Sequence, residues 1–337
     1  MLNIALILTG GTICSFADTQ TAERKTNASA ARTLLEETYR RTHPQMDIRF
    51  TSFTPYDILS ENLTLQHWNA LLFQVNSILS QQYDGIVIAH GTDTLAYTAG
   101  MLAAAIEHPS CPILLISANA PLVDIKSNGN ANFSAAVQTI SDGIPSGVFA
   151  VYRNSDGNTY LHQGVYLRQC ENFSEDFYSS EMVALPTEKF AASSKTDVLS
   201  NEQLCFKDDV LLLYPYVGLR YDAVSLAGIQ AVILGSFHSE TVNALANSPY
   251  SVQTMLERCQ KNSVFCGIAP CDTDAQTYES SGNLIRSGLI PLGKIPTSFA
   301  FAAAHVAVAK GFRGDEIGKF ILQRTKDAYT SLFRCFM

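Results

Sequence analysis

Two short segments combine hydroxyl groups with glycines in a way that suits ligand binding. Thr9-Gly10-Gly11-Thr12-Ile13 follows the apolar run Leu2 to Leu8, and His90-Gly91-Thr92-Asp93-Thr94 follows the apolar run Gly85 to Ala89. Each offers a hydroxyl beside glycines that let a backbone approach a ligand closely. Two plainer roles compete. Gly-Gly after a strand makes a tight turn, and Thr or Asp before a helix is ordinary N-cap chemistry. A phosphate cradle at Thr9-Gly10-Gly11-Thr12 is a third option, but the Lys-Ser/Thr ending of a P-loop is absent. The two segments together are more specific than either alone.

The elements that must position these segments alternate between strand and helix. A near-continuous apolar run closed by glycine is the pattern of a strand buried on both faces, so Leu2 to Leu8 and Gly85 to Ala89 are expected as inner parallel strands. Met46 to Phe53 and Pro112 to Ser117 read as further strands. Ser29 to Tyr39, Thr64 to Ser80, Asp93 to Glu107 and Asn130 to Ile140 read as helices, the second with Leu65, Trp68, Leu72, Val75 and Leu79 at helical spacing. This rhythm implies an α/β fold whose mostly parallel sheet is flanked by helices. Ligands bind at the carboxyl edge of such a sheet, where both segments lie.

Beyond Val148 to Val165, which reads as a hairpin turning at Asn154-Ser155-Asp156-Gly157-Asn158, the pattern changes. The expected layout is a larger domain over 1–190, a polar linker over 191–208 and a smaller α/β domain over 209–337. In the smaller domain, strands are expected at Val210 to Leu213 and Ala231 to Leu234, and helices near Val252 to Gln260 and Ser298 to Ala309.

Composition bounds the partners. With 47% apolar and 16% charged residues the chain can bury sizeable cores, and disorder is excluded as a description of the whole. The net charge of −8, with no dense Lys/Arg cluster, argues against nucleic acid. No apolar run reaches the roughly 20 residues of a membrane span, and the start lacks the basic and small-residue features of a secretory leader. The eight cysteines are scattered; Cys266 and Cys271 have no second pair at zinc-ligand spacing, so reduced thiols in a cytoplasmic protein are expected.

The paired segments resemble the two signatures of the bacterial-type L-asparaginase family, in its cytoplasmic, type I-like branch. Leu59-Ser60-Glu61-Asn62-Leu63-Thr64 before Trp68 is similar to the family's substrate-binding serine segment. Ser127-Asn128-Gly129-Asn130-Ala131-Asn132 is similar to a Ser-Asp-Gly segment after the third strand. The resemblance implies a two-domain fold and hydrolysis of L-asparagine to L-aspartate and ammonia, with Thr12 as nucleophile and Thr92 positioning a water. It implies that Asp93 holds the substrate's α-amino group, Ser60 its α-carboxylate, and that Glu61 and Gly91 line the pocket. It implies neither metal nor organic cofactor, since backbone N–H groups can stabilise the oxyanion. It also implies a homodimer or homotetramer.

Four features depart from the family pattern. The loop after Thr12 supplies no tyrosine, leaving Thr19, Glu23, Arg24 and Lys25 to support the nucleophile or to form a polar lid. The family lysine is missing from Leu161 to Phe177, where Arg168-Gln169 aligns with it. Arg168 keeps the charge but cannot act as a base; pairing with a carboxylate is its alternative role. A Gly-x-Gly-Asn turn is replaced by Ser236-Phe237-His238-Ser239-Glu240-Thr241, in which His238 and Glu240 are either new pocket groups or structural. A glutamate entering the late helix is replaced at Pro296-Thr297-Ser298. Two alternatives therefore stand beside the hydrolase: a small-molecule binder or sensor with weakened turnover, and an amidase acting on a different small amide. The tRNA-amidating relative is disfavoured by the absence of a preceding domain and of a basic surface.

Overall fold

The computed structural model describes residues 1–17, 23–180, 182–185, 190, 203–272 and 278–336, with side chains described up to 328. Contacts divide the chain into two compact units, residues 1–203 with 329–337 and residues 204–328.

The first unit is built on a seven-stranded sheet. Its strands are β1 (Leu2–Leu8), β4 (Ile48–Phe53), β5 (Gly85–Ala89), β6 (Ile113–Ile116), β7 (Val148–Arg153), β8 (Thr159–Gln163) and β9 (Met182–Leu185), in the order β4-β1-β5-β6-β7-β8-β9. The pairings are parallel from β4 through β7. They turn antiparallel at β8 and β9. A mostly parallel sheet flanked by helices is thus present. Ile4 to Leu8 and all of β5 are buried, as continuous apolar runs require of inner strands. Helices α1 (Ala28–Thr42) and α4 (Gly129–Ser141) contribute Leu35, Tyr39, Phe133 and Val137 to the core cluster against Leu6, Val87 and Leu114. Helix α2 (Leu65–Leu79) buries Trp68, Leu71, Leu72 and Val75, and α3 (Leu95–Ala105) is buried along nearly its whole length.

From β1 the chain passes to β4 on one side and then to β5 on the other. The order reverses at β1, and a reversal of this kind opens a crevice outside the carboxyl ends of the two strands. Leu8 pairs with Ala89 in register, so both threonine segments leave the sheet side by side.

A buried asparagine braces the same edge. Asn132, fully buried on α4, donates to the carbonyl of Ser117 at 2.9 Å and accepts from the N–H of Arg153 at 2.7 Å. It thereby ties the ends of β6 and β7. Asn132→Ala leaves both backbone groups without that partner and is expected to cost about 2–4 kcal/mol, read as a lower urea midpoint with unchanged slope. An unchanged midpoint would show that the brace contributes nothing.

The second unit carries a four-stranded parallel sheet of β10 (Val210–Leu213), β11 (Ala231–Leu234), β12 (Phe265–Ile268) and β13 (Ile290–Pro291), in that order. Its helices are α5 (Val252–Lys261), α6 (Glu279–Arg286), α7 (Thr297–Ala309) and most of α8 (Asp315–Phe336). Of the segment expected as linker, residues 191–202 lie outside the described residues, while Leu204 and Phe206 are buried. The small hairpin β2 (Ser15–Ala17) and β3 (Arg24–Thr26), together with β9, β12, β13, α6 and α8, has no counterpart in the sequence pattern read above.

Candidate active site

The site is assembled where three backbone segments cross. Thr9 donates through its N–H and its hydroxyl to the carbonyl of Ala89, at 3.0 and 2.9 Å, which holds the first turn against β5. Gly11 N–H donates to the Ile58 carbonyl at 2.8 Å, and Ile58 N–H to the Thr9 carbonyl at 3.2 Å. This pairing carries the chain after β4 alongside the first turn and delivers Ser60 to it.

Glycine is required at the crossings. A Cβ on Gly10 would stand 2.0 Å from the Ile58 carbonyl oxygen, and one on Gly11 would stand 2.2 Å from the Gly91 Cα. Gly11 also has φ +74°, a conformation suited to glycine. On the far side, a Cβ on Gly91 would lie 2.3 Å from the Ser60 hydroxyl oxygen. Thr12 follows Gly11 and Thr92 follows Gly91, so the two threonines stand on crossing backbones with the buried Ser60 beside them. Thr94 ties the arrangement by donating its hydroxyl to the Ser60 carbonyl at 3.1 Å. Thr12 and Thr92 are half-buried, while Asp93 and Glu61 are exposed.

A buried relay holds the second turn from behind. His90 Nδ1 lies 2.9 Å from the Gly91 carbonyl oxygen, and its Nε2 lies 3.0 Å from the Thr98 hydroxyl. Trp68 donates its indole N–H to the same hydroxyl at 3.2 Å. A carbonyl only accepts, so Nδ1 carries the proton, Nε2 accepts from Thr98, and Thr98 oxygen accepts from Trp68. Holding the Gly91 carbonyl fixes the direction of the Thr92 N–H, since the two point oppositely across a planar trans peptide. This N–H is suited to stabilising negative charge at the turn.

Burial pushes the His90 ring down to about 4. The unfolded ring titrates near 6.5, so between pH 6.5 and 4 the unfolded chain binds a proton that the folded chain does not. Stability is therefore lost as pH falls through that window, by about 3 kcal/mol for this ring alone. His162 and His305, also buried and pushed down to about 4, add to the same slope. His90→Gln is expected to reduce the stability difference between pH 7 and pH 5 by about 2 kcal/mol. Urea unfolding at both pH values measures it, and an unaltered difference would contradict the account.

The remaining predicted residues fall as follows. Arg168 is exposed and paired with Glu171 at 3.1 Å. Its neighbour Gln169 instead reaches the second turn, donating its side-chain N–H to the Asp93 carbonyl. The sequence aligns the Arg168-Gln169 pair with the family lysine and carries no signal that separates Gln169 from its neighbour. Arg24 and Lys25 stand on β3, paired with Ala17 and Phe16 of β2; Glu23 precedes that strand, and Thr19 lies outside the described residues. In the second unit Glu240, at φ +57°, accepts from the Asp272 N–H at 2.6 Å, and His238 is exposed. Thr297 donates to the Ala269 carbonyl at 2.7 Å. No cluster of His, Cys, Asp or Glu suited to a metal occurs among the described residues. No helix among them is long and apolar enough to cross a membrane.

Comparison with known proteins adds to this geometry. The family model described as Asparaginase, N-terminal matches residues 3–196. Among curated proteins, the chain is 26% identical over 349 residues to a glutamyl-tRNA(Gln) amidotransferase subunit of Metallosphaera sedula, covering 97% of this chain and 76% of that one. It is 24% identical to the protein of the same name from Thermococcus kodakarensis, covering 86% and 68%. Among solved structures, the thermostable L-asparaginase from Thermococcus kodakarensis aligns with a TM-score of 0.75 at 18% identity, covering 95% of this chain and 97% of that one. L-asparaginase I from Vibrio cholerae aligns at 0.72 and 22%, covering 96% and 97%.

Proposed function

Since the chain belongs to the asparaginase family, we propose that it hydrolyses L-asparagine to L-aspartate and ammonia, with Thr12 as the nucleophile. The observation that carries this reading is the Gly11–Gly91 crossing, which sets two threonine-bearing turns together at the carboxyl edge of a parallel sheet.

The Thr12 oxygen attacks the side-chain carboxamide carbon. The C–N bond breaks, the threonine proton goes to the leaving nitrogen, and ammonia departs from a threonine ester. Water positioned by Thr92 then adds to the ester carbon, releasing the carboxylate and restoring the Thr12 hydroxyl. A threonine hydroxyl is a weak nucleophile without help, so developing negative charge needs stabilisation. The oriented Thr92 N–H suits that role; Arg168, turned out to Glu171, would have to leave that pair to support it. Asp93 receives the substrate's α-ammonium group and Ser60 its α-carboxylate, with Glu61 and Gly91 lining the pocket. We extend the reading to a homo-oligomer, dimer or tetramer, in the cytoplasm.

The curated relatives favour a second reading. They are named as part of a glutamyl-tRNA(Gln) amidotransferase, which suggests an amide hydrolase that works within a larger assembly. Ammonia release by the purified chain separates the two. Steady release from L-asparagine, with L-glutamine and other small amides slower, supports the free-standing hydrolase. Release that requires added partner and acceptor supports the second reading. Binding of L-asparagine with no release under either condition would leave a binder and remove hydrolysis.

A further inference from the structure

We propose that Gln169 is a ligand-binding residue of this site, its carboxamide oxygen accepting a hydrogen bond from a ligand's ammonium group while its nitrogen grips the second threonine turn. The inference deepens the asparagine reading above and rests on it.

The segment that carries Gln169 is pinned on both sides. Leu167 N–H donates to the Gln163 carbonyl at 3.1 Å, Arg168 N–H donates to the Tyr178 carbonyl at 2.9 Å, and Leu167 bridges to Ser179. Leu167 is buried, Arg168 is exposed, and Gln169 turns back inward, half-buried. Its Nε2 then donates to the Asp93 carbonyl. The opposite amide orientation would set Oε1 against that carbonyl, acceptor facing acceptor, so hydrogen-bond chemistry decides which end is which.

With the nitrogen engaged, Gln169 Oε1 is buried and has no hydrogen-bond partner among the described residues. A buried carbonyl oxygen without a donor is destabilising, and such an atom calls for an explanation. A ligand that brings an N–H donor supplies one. Asp93, whose backbone Gln169 grips, presents an exposed carboxylate. A donor with positive charge suits both groups, whereas a neutral N–H would leave the carboxylate unmatched. The ligand chemistry that fits is therefore a primary ammonium, as on an α-amino acid amide. Asp93 takes the charge and Gln169 takes one N–H.

The test compares two ligands that differ only in that ammonium: L-asparagine and succinamic acid. Dissociation constants are measured by calorimetry on the full chain in the Thr12→Ala background, where turnover is suppressed. Gln169→Leu should raise the L-asparagine constant about tenfold or more while leaving that of succinamic acid within about twofold. Gln169→Met carries the same comparison should the leucine variant fail to fold. Equal weakening of both ligands, or no weakening of L-asparagine, would overturn the assignment while leaving the hydrolase reading intact. If the folded Thr12→Ala chain binds no L-asparagine at all, that reading falls and this inference falls with it.

Discussion

Thr12→Ala and Thr92→Ala are each expected to lower the rate of ammonia release from L-asparagine by about 10²-fold or more, without lowering the urea midpoint. The size of the effect follows from what each hydroxyl does in the proposed reaction. Without the Thr12 oxygen no ester can form, and what remains is catalysis by backbone donors and binding alone. Without the Thr92 hydroxyl the ester loses its positioned water, although the Thr92 N–H, a backbone group, stays in place. Both side chains are half-buried, so trimming each to alanine leaves only a small void. Initial rates and unfolding curves on the same preparations test both halves of the expectation. An unchanged rate in either variant removes that hydroxyl from the mechanism.

Gly11→Ala has the largest expected effect on the fold. The added carbon would meet Gly91 Cα at 2.2 Å and Gly91 N at 2.5 Å. Both are backbone atoms, so no flexible side chain can yield. Gly11 also sits at φ +74° and ψ −173°, a region open essentially only to glycine. Strain and overlap together are expected to cost roughly 3–5 kcal/mol and to separate the two threonine turns, so turnover falls to background. Gly143→Ala is the control. Its φ is +82°, but nothing lies within 4 Å of the added carbon, so it should lose only the backbone share, about 1–2 kcal/mol. Equal losses in the two variants would show that the crossing of the turns adds nothing beyond conformational strain.

The parts of this molecule legible in its sequence are those in which one physical signal dominates. Continuous apolar runs ending at glycine mark β1 and β5, because a strand buried on both faces leaves no polar position to blur its pattern. The same simplicity makes the two threonine turns visible, since each directly follows such a run. Ser60 was visible only through the resemblance. Its arrival at Gly91 depends on the pairing of Ile58 with Gly10, a contact between segments distant in sequence. Strand β12 is four residues long with Gly267 inside it, too short and too weakly β-forming to stand out. The β2–β3 hairpin pairs Phe16 with Lys25 and has no alternating apolar face, so periodicity could not reveal it. Gln169 was hidden for a different reason. In an irregular segment, neither period 2 nor period 3.6 says which of two neighbours faces inward. Here Arg168 turns out to Glu171 and Gln169 turns in to Asp93.

The most direct test of the threonine nucleophile is to look for the ester itself. L-asparagine is mixed with the Thr92→Ala variant, the reaction is quenched in acid within one turnover, and the acylated residue is located by fragment mass spectrometry. The account predicts an aspartyl ester on Thr12, lost in the Thr12→Ala, Thr92→Ala double variant. An ester on another residue, or ammonia release in Thr12→Ala at an undiminished rate, would contradict it.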